Sequence, residues 1–321
     1  MNRPSLTQIL VGTRHAQEYL CVSPFAGAVA SIDAAGVPVD VTHRHVFLGY
    51  LPTLVALPCR ADEVLLTVSD GPMAGDAEWR GHVTERAATG RVLLQCRREL
   101  PWGGLYEGVD GQEFTLGVRG RIAHRVLAAR HPPSVGNSAI DPAAALRMRV
   151  LYTLARPVDL VTVGTASGFN RFPVDLHGVV GSHAVFSLRK GASSAEQVER
   201  AGRLVLAAMP IGHAAAVYAQ GPNHMRESVP LDAGGREVGG TPGIAKAAGP
   251  FAGLPVPGHA LGWWLVEGIE AIFAAGEHQI FLGTVAESEP PAPTAPRLHH
   301  VHRDAVVRRD RQGLQTPCIV R

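Results

Sequence analysis

Short apolar runs separated by turn residues are the feature that most constrains the fold of this chain. Residues 46–51, 63–68, 91–96 and 113–118 each hold a run rich in strand-favouring side chains. The 321 residues include 36 glycines and 24 prolines, which interrupt helices and favour turns. The sequence therefore predicts a mainly β fold with short helices, and it begins with a β-rich domain over residues 1–140.

Small and polar residues mark turns within this first region. The segment 131–137 contains two prolines and a glycine, so regular structure is expected to stop there. A helix should follow from Asp141-Pro142, because aspartate favours the N-cap and proline fits the first helical position. We expect the domain boundary near residue 140, and turns at 69–72, 88–90 and 109–111.

The second region, residues 141–288, alternates between strands and short helices. Ser193 and Ser194 each precede an acid or amide three residues later, which predicts a capping box that opens a helix over 193–201. Another short helix is expected at 212–218. The predicted strands cover 158–165, 178–188, 203–208, 258–267, 270–273 and 279–286.

The last region, residues 289–321, is rich in proline and arginine. Four prolines fall within residues 289–296, so this part should be extended. The basic run that follows is either an arm that packs on another subunit or a disordered segment. The sequence shows no long-period repeat; one short similarity joins residues 46–49 to 280–283.

Composition and spacing argue against several classes of function. A formal net charge of +2 does not predict nucleic-acid binding. No segment approaches the roughly 20 apolar residues that span a bilayer. The four cysteines form no CxxC pair, so a cytoplasmic protein without disulfides is the default expectation. The chain contains no G-x-G-x-x-G dinucleotide motif and no G-x-S-x-G elbow.

One motif carries more information than the others. Gly276-Glu277-His278 leads directly into the apolar strand Gln279-Ile280-Phe281-Leu282-Gly283. This stretch resembles the Gly-Asp-His-x-x-Phe-x-Gly signature of the flavin reductase family, whose members bind FMN or FAD in a split β-barrel. Upstream strands, the turn at Asn170 and the helix at 193–201 follow the family's order, so the resemblance covers roughly residues 145–290. Glu277 replaces the family's aspartate, and the block 170–178 departs from its usual pattern.

The resemblance implies an FMN-dependent oxidoreductase, with FAD as the other possible flavin. Its implied reaction is hydride transfer from NAD(P)H through the flavin to oxygen, a small-molecule substrate or a partner monooxygenase. Flavin sites in the family lie between subunits, so a homodimer is implied as well.

Two groups of residues are candidates for binding the flavin. The phosphate needs hydrogen-bond donors and positive charge, and a helix N-terminus provides a favourable dipole. The segment after the second predicted strand offers these groups: Ser187, Arg189, Lys190, Ser193 and Ser194. The isoalloxazine's pyrimidine edge would contact the segment Asn170, Arg171, Phe172 and Pro173.

His278, His177 and Asp175 are the candidate catalytic residues. His278 lies at the family position that approaches the substrate side of the flavin, where an imidazole can shuttle a proton. Asp175 and His177 are two residues apart, so in an extended segment they face the same side and Asp175 can orient the imidazole. His213 and His224, which flank Tyr218, could also line the site.

Two alternatives stay open. The chain could be a flavoenzyme that oxidises or reduces a specific metabolite, with the N-terminal domain shaping the pocket. It could instead be a non-enzymatic split-barrel module that binds flavin or haem, a hypothesis based on His43, His45 and the histidines at 299, 300 and 302. No metal site is predicted, because spacing places no third ligand beside either histidine pair.

Overall fold

Strands dominate the structure. A computed structural model describes residues 19–22, 28–34, 37–70, 88–115, 142–229, 254–302 and 318–320. Helices are few and short among these residues, so the mainly β prediction is confirmed. The boundary expected near residue 140 and the break at 131–137 lie outside the described residues.

The strands form three antiparallel sheets, here called the first sheet, the second sheet and the small sheet. The first sheet contains β2 (Ala28–Ala34), β3 (Val37–Asp40), β4 (Val46–Tyr50), β5 (Thr53–Leu57), β6 (Glu63–Asp70), β7 (Ala88–Leu100) and β8 (Gly103–Glu113). The second sheet contains β10 (Asp159–Thr165), β11 (Gly168–Val174), β12 (His177–Val180), β13 (His183–Arg189), β14 (Arg203–Ala208), β15 (Gly262–Ala275) and β16 (His278–Glu289). The small sheet contains β1 (Tyr19–Val22), β9 (Arg156–Pro157), β17 (His299–His302) and β18 (Cys318–Val320).

Three α-helices lie beside these sheets. They are α1 (Pro142–Leu151), α2 (Ser193–Ala201) and α3 (Ala214–Ala219), and 3-10 turns occur at Ile211–His213 and Gly221–Met225. The predictions of helices at 193–201 and 212–218 and of a helix starting at Pro142 are confirmed.

The two large sheets repeat one topology. The first sheet runs β3-β2-β6-β7-β8-β5-β4, and the second runs β11-β10-β14-β15-β16-β13-β12. Each strand of the second sheet corresponds in position to the strand of the first sheet whose number is smaller by eight, for example β16 to β8. The chain therefore contains a repeated fold, although its sequence shows none. The short similarity between residues 46–49 and 280–283 is not part of this repeat, since β4 and β16 hold different places.

Each large sheet covers its own apolar core, and a third cluster joins the two. The first core is built around Val55, Tyr106 and Leu151, and the second around Phe172, Phe186 and Phe281. The joining cluster, here called the interface cluster, takes residues from both sheets: Val46, Leu48, Leu54, Ala56, Leu100, Leu105, Val185, Ile272 and Ile280. Curled sheets with separate cores give the split-barrel architecture that the sequence predicts.

β-bulges account for most of the errors in the predicted elements. The predicted turns at 88–90 and 109–111 lie inside β7 and β8, where the pairing skips Thr89 and Val109. Bulges need the small and polar residues that also mark turns, so the two are alike in sequence. The predicted break between 258–267 and 270–273 is likewise a bulge within the continuous strand β15.

Two further predicted strands were misplaced. The segment 178–188 is a hairpin, β12 and β13, whose turn contains Gly181 at a φ of 59°. Of the predicted strand 113–118, residues 114 and 115 are not in a strand because β8 ends at Glu113, and 116–118 lie outside the described residues. In the C-terminal region, β17 pairs with β1 and β9 of its own chain. The basic run within residues 303–317 lies outside the described part.

A close contact between turns joins the second sheet to the first. Gly276 has a φ of 52°, and a Cβ atom placed there would lie 1.9 Å from the carbonyl oxygen of Leu51. The neighbouring Glu277 backbone N–H donates to that same Leu51 oxygen at 3.2 Å. The glycine of the Gly276-Glu277-His278 motif is therefore required by both backbone conformation and space.

We expect Gly276→Ala to lower the free energy of unfolding more than Gly268→Ala does. Both glycines have a positive φ, but Gly268 has open space around it, so its substitution should cost about 1–2 kcal/mol of backbone strain alone. Gly276→Ala adds the clash with Leu51. Urea unfolding of both variants measures the difference, and equal losses would contradict the close contact.

Candidate functional site

One cleft gathers several of the predicted site residues. It has a volume of about 330 Å³, within the usual size range of small-molecule sites. Its wall combines groups from β11, β13, the start of α2, the 3-10 turn at Gly221–Met225 and β16, with one residue from the first sheet. The lining residues are Tyr50, Pro173, Val174, Asp175, Leu176, Ser187, Leu188, Arg189, Ala192, His224, Met225 and His278.

His278 is the most informative group in this cleft. It is the first residue of β16 and is 3% exposed. Its Nδ1 atom is hydrogen bonded to the Ser187 hydroxyl at 3.0 Å, while its buried Nε2 atom has no hydrogen-bond partner among the described residues. A buried polar atom without a partner is unusual and points to a ligand or a strained site.

Burial keeps His278 neutral. It lowers the pKa of the imidazole to about 4; Asp175 opposes this shift, and the charges of Arg189 and Lys190 reinforce it. At neutral pH the ring therefore carries one proton. The direction of the Ser187 hydrogen bond decides whether that proton lies on Nδ1 or on Nε2. In either tautomer, Nε2 can bind a ligand.

Arg189 supplies positive charge beside His278. The two residues are directly paired across β13 and β16. The Arg189 guanidinium lies 3.6 Å from the Glu277 carboxylate and remains 42% exposed, so it is held loosely. The backbone N–H of Lys190 donates to the Glu277 carbonyl at 2.8 Å, although the Lys190 side chain does not line the cleft.

Helix α2 begins at the cleft without a side-chain cap. Its N-cap residue is Ala192, which lines the cleft, and no side chain accepts from its first N–H groups. The predicted capping box is therefore wrong: the Ser194 hydroxyl is hydrogen bonded to His224, and the Gln197 amide donates to the Arg226 carbonyl. Ser193 does not line the cleft. An uncapped helix N-terminus leaves donors available for an anion.

His224 forms the wall opposite β13. Its Nε2–H must donate to the Pro173 carbonyl at 2.8 Å, since a carbonyl oxygen only accepts. Its Nδ1 then accepts from the Ser194 hydroxyl at 3.1 Å, and burial lowers its pKa, which favours this neutral form. Ser194 thus fixes a cleft residue without reaching the cleft. Of the two histidines that flank Tyr218, His224 lines the cleft and His213 does not.

Tyr50 is the cleft residue that sequence reasoning missed. It is the last residue of β4 in the first sheet, and its ring meets the His278 ring edge to face at 4.6 Å. Burial and then the charge of Glu277 raise the pKa of its phenol. Tyr50 is far from the motif in sequence, and only the packing of the two sheets brings the two rings together.

Asp175 supplies a fixed negative charge. Its carboxylate accepts from His300 Nδ1–H at 2.9 Å and lies 3.4 Å from the Arg156 guanidinium. The other nitrogen of His300 is hydrogen bonded to the Tyr218 hydroxyl. Partial burial alone would raise the pKa of Asp175, but Arg156 and the His300 hydrogen bond hold it well below its usual range.

His177 lies outside the cleft, and its partner is not the predicted one. Its Nε2–H donates to Asp159 at 2.8 Å, and the Arg297 guanidinium makes two hydrogen bonds to the same buried carboxylate. Burial would raise the pKa of Asp159, but Arg297 and His177 hold it well below its usual range. The expected orientation of His177 by Asp175 is therefore wrong, because each has found another partner.

Three of the predicted flavin contacts are structural. The Asn170 amide donates to Gln197 Oε1 and to the carbonyls of Asn223 and Arg226. Arg171 is fully buried and donates to Thr162 and to the Pro255 carbonyl, while Phe172 belongs to the second core. Neighbouring strand residues point to opposite faces of the sheet, and the Asn170 and Arg171 side chains bond to Gln197 and Thr162, which do not line the cleft. Of the segment 170–173, only Pro173 lines it.

The described residues offer no support for a metal site or a membrane span. Among them, no group of three or more histidines, cysteines, aspartates or glutamates could hold a metal ion. None of the described helices is long and apolar enough to cross a membrane. Of the histidines behind the haem alternative, His45 is hydrogen bonded to Val41 and His299 to Arg297.

Known proteins offer distant similarities only. No known family description and no curated protein matches the sequence. The structure is similar to the NADH:FAD oxidoreductase SgcE6 of Streptomyces globisporus C-1027, at 18% identity and a TM-score of 0.39, over 52% of this chain and 94% of that one. An FMN-binding protein of Thermus thermophilus is similar at 15% identity and a TM-score of 0.34, over 43% of this chain and 74% of that one.

The styrene monooxygenase flavin reductase of Pseudomonas putida S12 gives 16% identity and a TM-score of 0.37, over 48% of this chain and 90% of that one. These similarities to flavin reductases and FMN-binding proteins extend over about half of the chain. Similarities this distant carry no argument about binding or activity.

We expect the His278 ring to stay neutral down to a pH of about 4. In the unfolded chain its pKa is close to 6.5, so folding stability should fall as pH drops from about 6.5 to 4, where only the unfolded chain takes up this proton. Ring resonances followed by NMR, assigned by their loss in His278→Gln, measure the titration. Half-protonation near pH 6.5 would contradict the burial.

Proposed function

We propose that this chain is a flavin-dependent oxidoreductase that binds FMN, or FAD, in the cleft. The observation that carries the proposal is the buried His278, whose Nε2 lacks a partner, beside Arg189 and the uncapped start of α2. The Gly276-Glu277-His278 motif supports the same conclusion. These residues fit a ligand that has both a phosphate and a ring system with hydrogen-bonding edges.

Arg189 and the first N–H groups of α2 would hold the phosphate. A dianion requires donors and positive charge together, and a helix N-terminus supplies aligned dipoles. Arg189 can be recruited readily because its ion pair with Glu277 is long and partly exposed. Lys190 follows directly and adds positive charge near the same turn.

The chemistry would come from the flavin, which accepts and passes on a hydride when bound. His278 would hydrogen bond the ligand through Nε2 while Ser187 holds its Nδ1. A neutral imidazole can donate a hydrogen bond from Nε2–H or accept one at a bare Nε2, according to its tautomer, and it becomes a cation when it takes up a proton. Tyr50 would exclude water from one side of the His278 ring. The hydride donor would be NAD(P)H, and the acceptor a small molecule or a partner monooxygenase.

Purified protein should bind FMN or FAD, and NADH or NADPH should bleach the bound flavin's visible absorbance under anaerobic conditions. We expect His278→Gln to slow this reduction about 100-fold, the lower end of what a positioned acid or base contributes. Its flavin affinity should stay within a few-fold of the wild type.

Ser31→Ala, far from the cleft on β2, serves as the control for handling and folding. Equal losses of rate and affinity in His278→Gln would show that His278 is structural. A protein that binds neither FMN nor FAD would contradict the proposed function itself.

The phosphate contact gives a separate prediction. Wild-type protein should bind FMN more tightly than riboflavin, which lacks the phosphate, and Arg189→Ala should remove most of that difference, about 10-fold in Kd for a charge-assisted contact. Arg200→Ala is the matched control, because Arg200 lies in the last turn of the same helix. Calorimetric titration of each protein with FMN and with riboflavin measures these Kd values. An unchanged preference for FMN in Arg189→Ala would contradict the contact between Arg189 and the phosphate.

Asp175 favours a second candidate, a flavoenzyme acting on one metabolite. Its carboxylate lines the cleft and is held ionised by Arg156 and His300. A fixed anion disfavours the polyanionic NAD(P)H and favours a neutral or cationic substrate. Flavin that stays oxidised with both nicotinamides, yet is reduced by an amine or alcohol, would support this candidate over the first.

A further inference from the structure

The repeated topology gives the strand residues at the centre of the cleft counterparts in the first sheet. In each sheet a two-residue turn joins the central pair of strands: Pro101-Trp102 between β7 and β8, and Gly276-Glu277 between β15 and β16. Counted from these turns, Gly103 occupies the position of His278. The first sheet therefore has a place that corresponds to the cleft.

That place cannot hold the two groups at the centre of the cleft. A Cβ atom on Gly103 would lie 1.9 Å from the Leu57 carbonyl oxygen, so no side chain fits where the second sheet has its imidazole. In the second sheet, Ser187 is paired with Ile280 of β16. Leu105 is the counterpart of Ile280 in the first sheet, and it is paired with Ala56, which therefore holds the position of Ser187. Both the histidine and its hydrogen-bond partner are replaced by groups without polar side chains.

The phosphate-binding elements have no counterpart either. Leu188 is followed by Arg189, whereas its counterpart Leu57 is followed by Pro58. The connection from β13 to β14 contains helix α2, whereas residues 58–62 lead directly from β5 to β6 without a helix. The corresponding place thus has no helix end, and its nearest arginine, Arg60, donates to the Pro101 carbonyl.

Hydrocarbon fills the corresponding place instead. Trp102 occupies the turn position that corresponds to Glu277. Val180, the last residue of β12, is the counterpart of Tyr50, the last residue of β4. Both Trp102 and Val180 pack against the interface cluster, among Leu100, Leu105 and Ile272. Buried apolar side chains there stabilise the junction between the sheets. The one polar atom of the Trp102 ring, Nε1, is buried among them without a hydrogen-bond partner in the described residues.

We infer that, of the two repeated sheets, only the second carries a ligand site, and that the first sheet acts as its built-in partner by contributing Tyr50. All the described residues that line the cleft belong to one chain, so a second copy of the chain is not needed to bring them together. The ligand class rests on the proposed function, whereas the asymmetry rests on the two sheets.

Ligand stoichiometry tests this inference. Titration of the full chain with FMN, with protein concentration from amino-acid analysis, should give one FMN per chain.

The double variant Ser187→Ala with Arg189→Ala should reduce the affinity for FMN at least 10-fold. Arg60→Ala should leave it unchanged; Arg60 donates to the Pro101 carbonyl beside the corresponding turn of the first sheet. Tyr50→Ala should weaken binding several-fold and Tyr50→Phe should restore it, because the ring is the part that meets His278.

Mixing two defective chains tests whether the site lies within one chain. Chains with Tyr50→Ala and chains with Arg189→Ala are co-expressed with different tags and purified by both tags. The mixed sample should bind FMN no more tightly than the two variants do separately. Recovery or two FMN per chain would overturn the inference and leave the proposed function intact. Full binding in the Ser187/Arg189 double variant would place the flavin outside the cleft and overturn both. A wild type that binds neither FMN nor FAD would overturn the proposed function, and the one-site stoichiometry with it.

Discussion

The packing of the turn at Gly276-Glu277 onto Leu51 is the contact on which the site depends. It fixes where the second sheet meets the first, since a glycine is the only residue that fits between the turn and the Leu51 carbonyl. The next residue along the chain is His278, so the same contact sets the depth at which the imidazole is buried beside Tyr50. Burial in turn lowers its pKa and leaves Nε2 without a partner. One backbone contact thereby controls the position and charge of the central group.

Two buried carboxylates account for most of the other polar residues around the cleft. Asp159 is satisfied by His177 and Arg297, and Asp175 by Arg156 and His300. A buried charge is tolerated only when it is paired and hydrogen bonded, so each carboxylate requires partners from distant parts of the chain. These pairs tie β10, β12 and the C-terminal strand β17 together, and only Asp175 keeps a face toward the cleft.

Local pattern predicted the elements well and the pairing of polar groups poorly. The start of α1 at Pro142 follows from local sequence, and the bounds of α2 were predicted correctly although the capping box behind them is wrong. Asn170, Arg171 and His177 look like ligands because a sequence cannot show that Gln197, Thr162 and Asp159 already satisfy them. Tyr50 and the repeated topology were missed for a related reason: they arise from contacts between sheets, to which local periodicity is blind.

The difference between the two sheets has a physical logic. An open cleft leaves apolar surface in contact with water and keeps polar atoms such as His278 Nε2 unpaired, and both reduce stability. The closed counterpart gains apolar contact instead: Trp102, Val180 and Leu105 add apolar burial to the interface cluster at about 25 cal/mol per Å², although Trp102 Nε1 is buried there without a partner. If both copies were open, the junction between the sheets would lose that burial on each side. A single open site beside a filled one therefore lets the same interface both hold the sheets together and support a ligand.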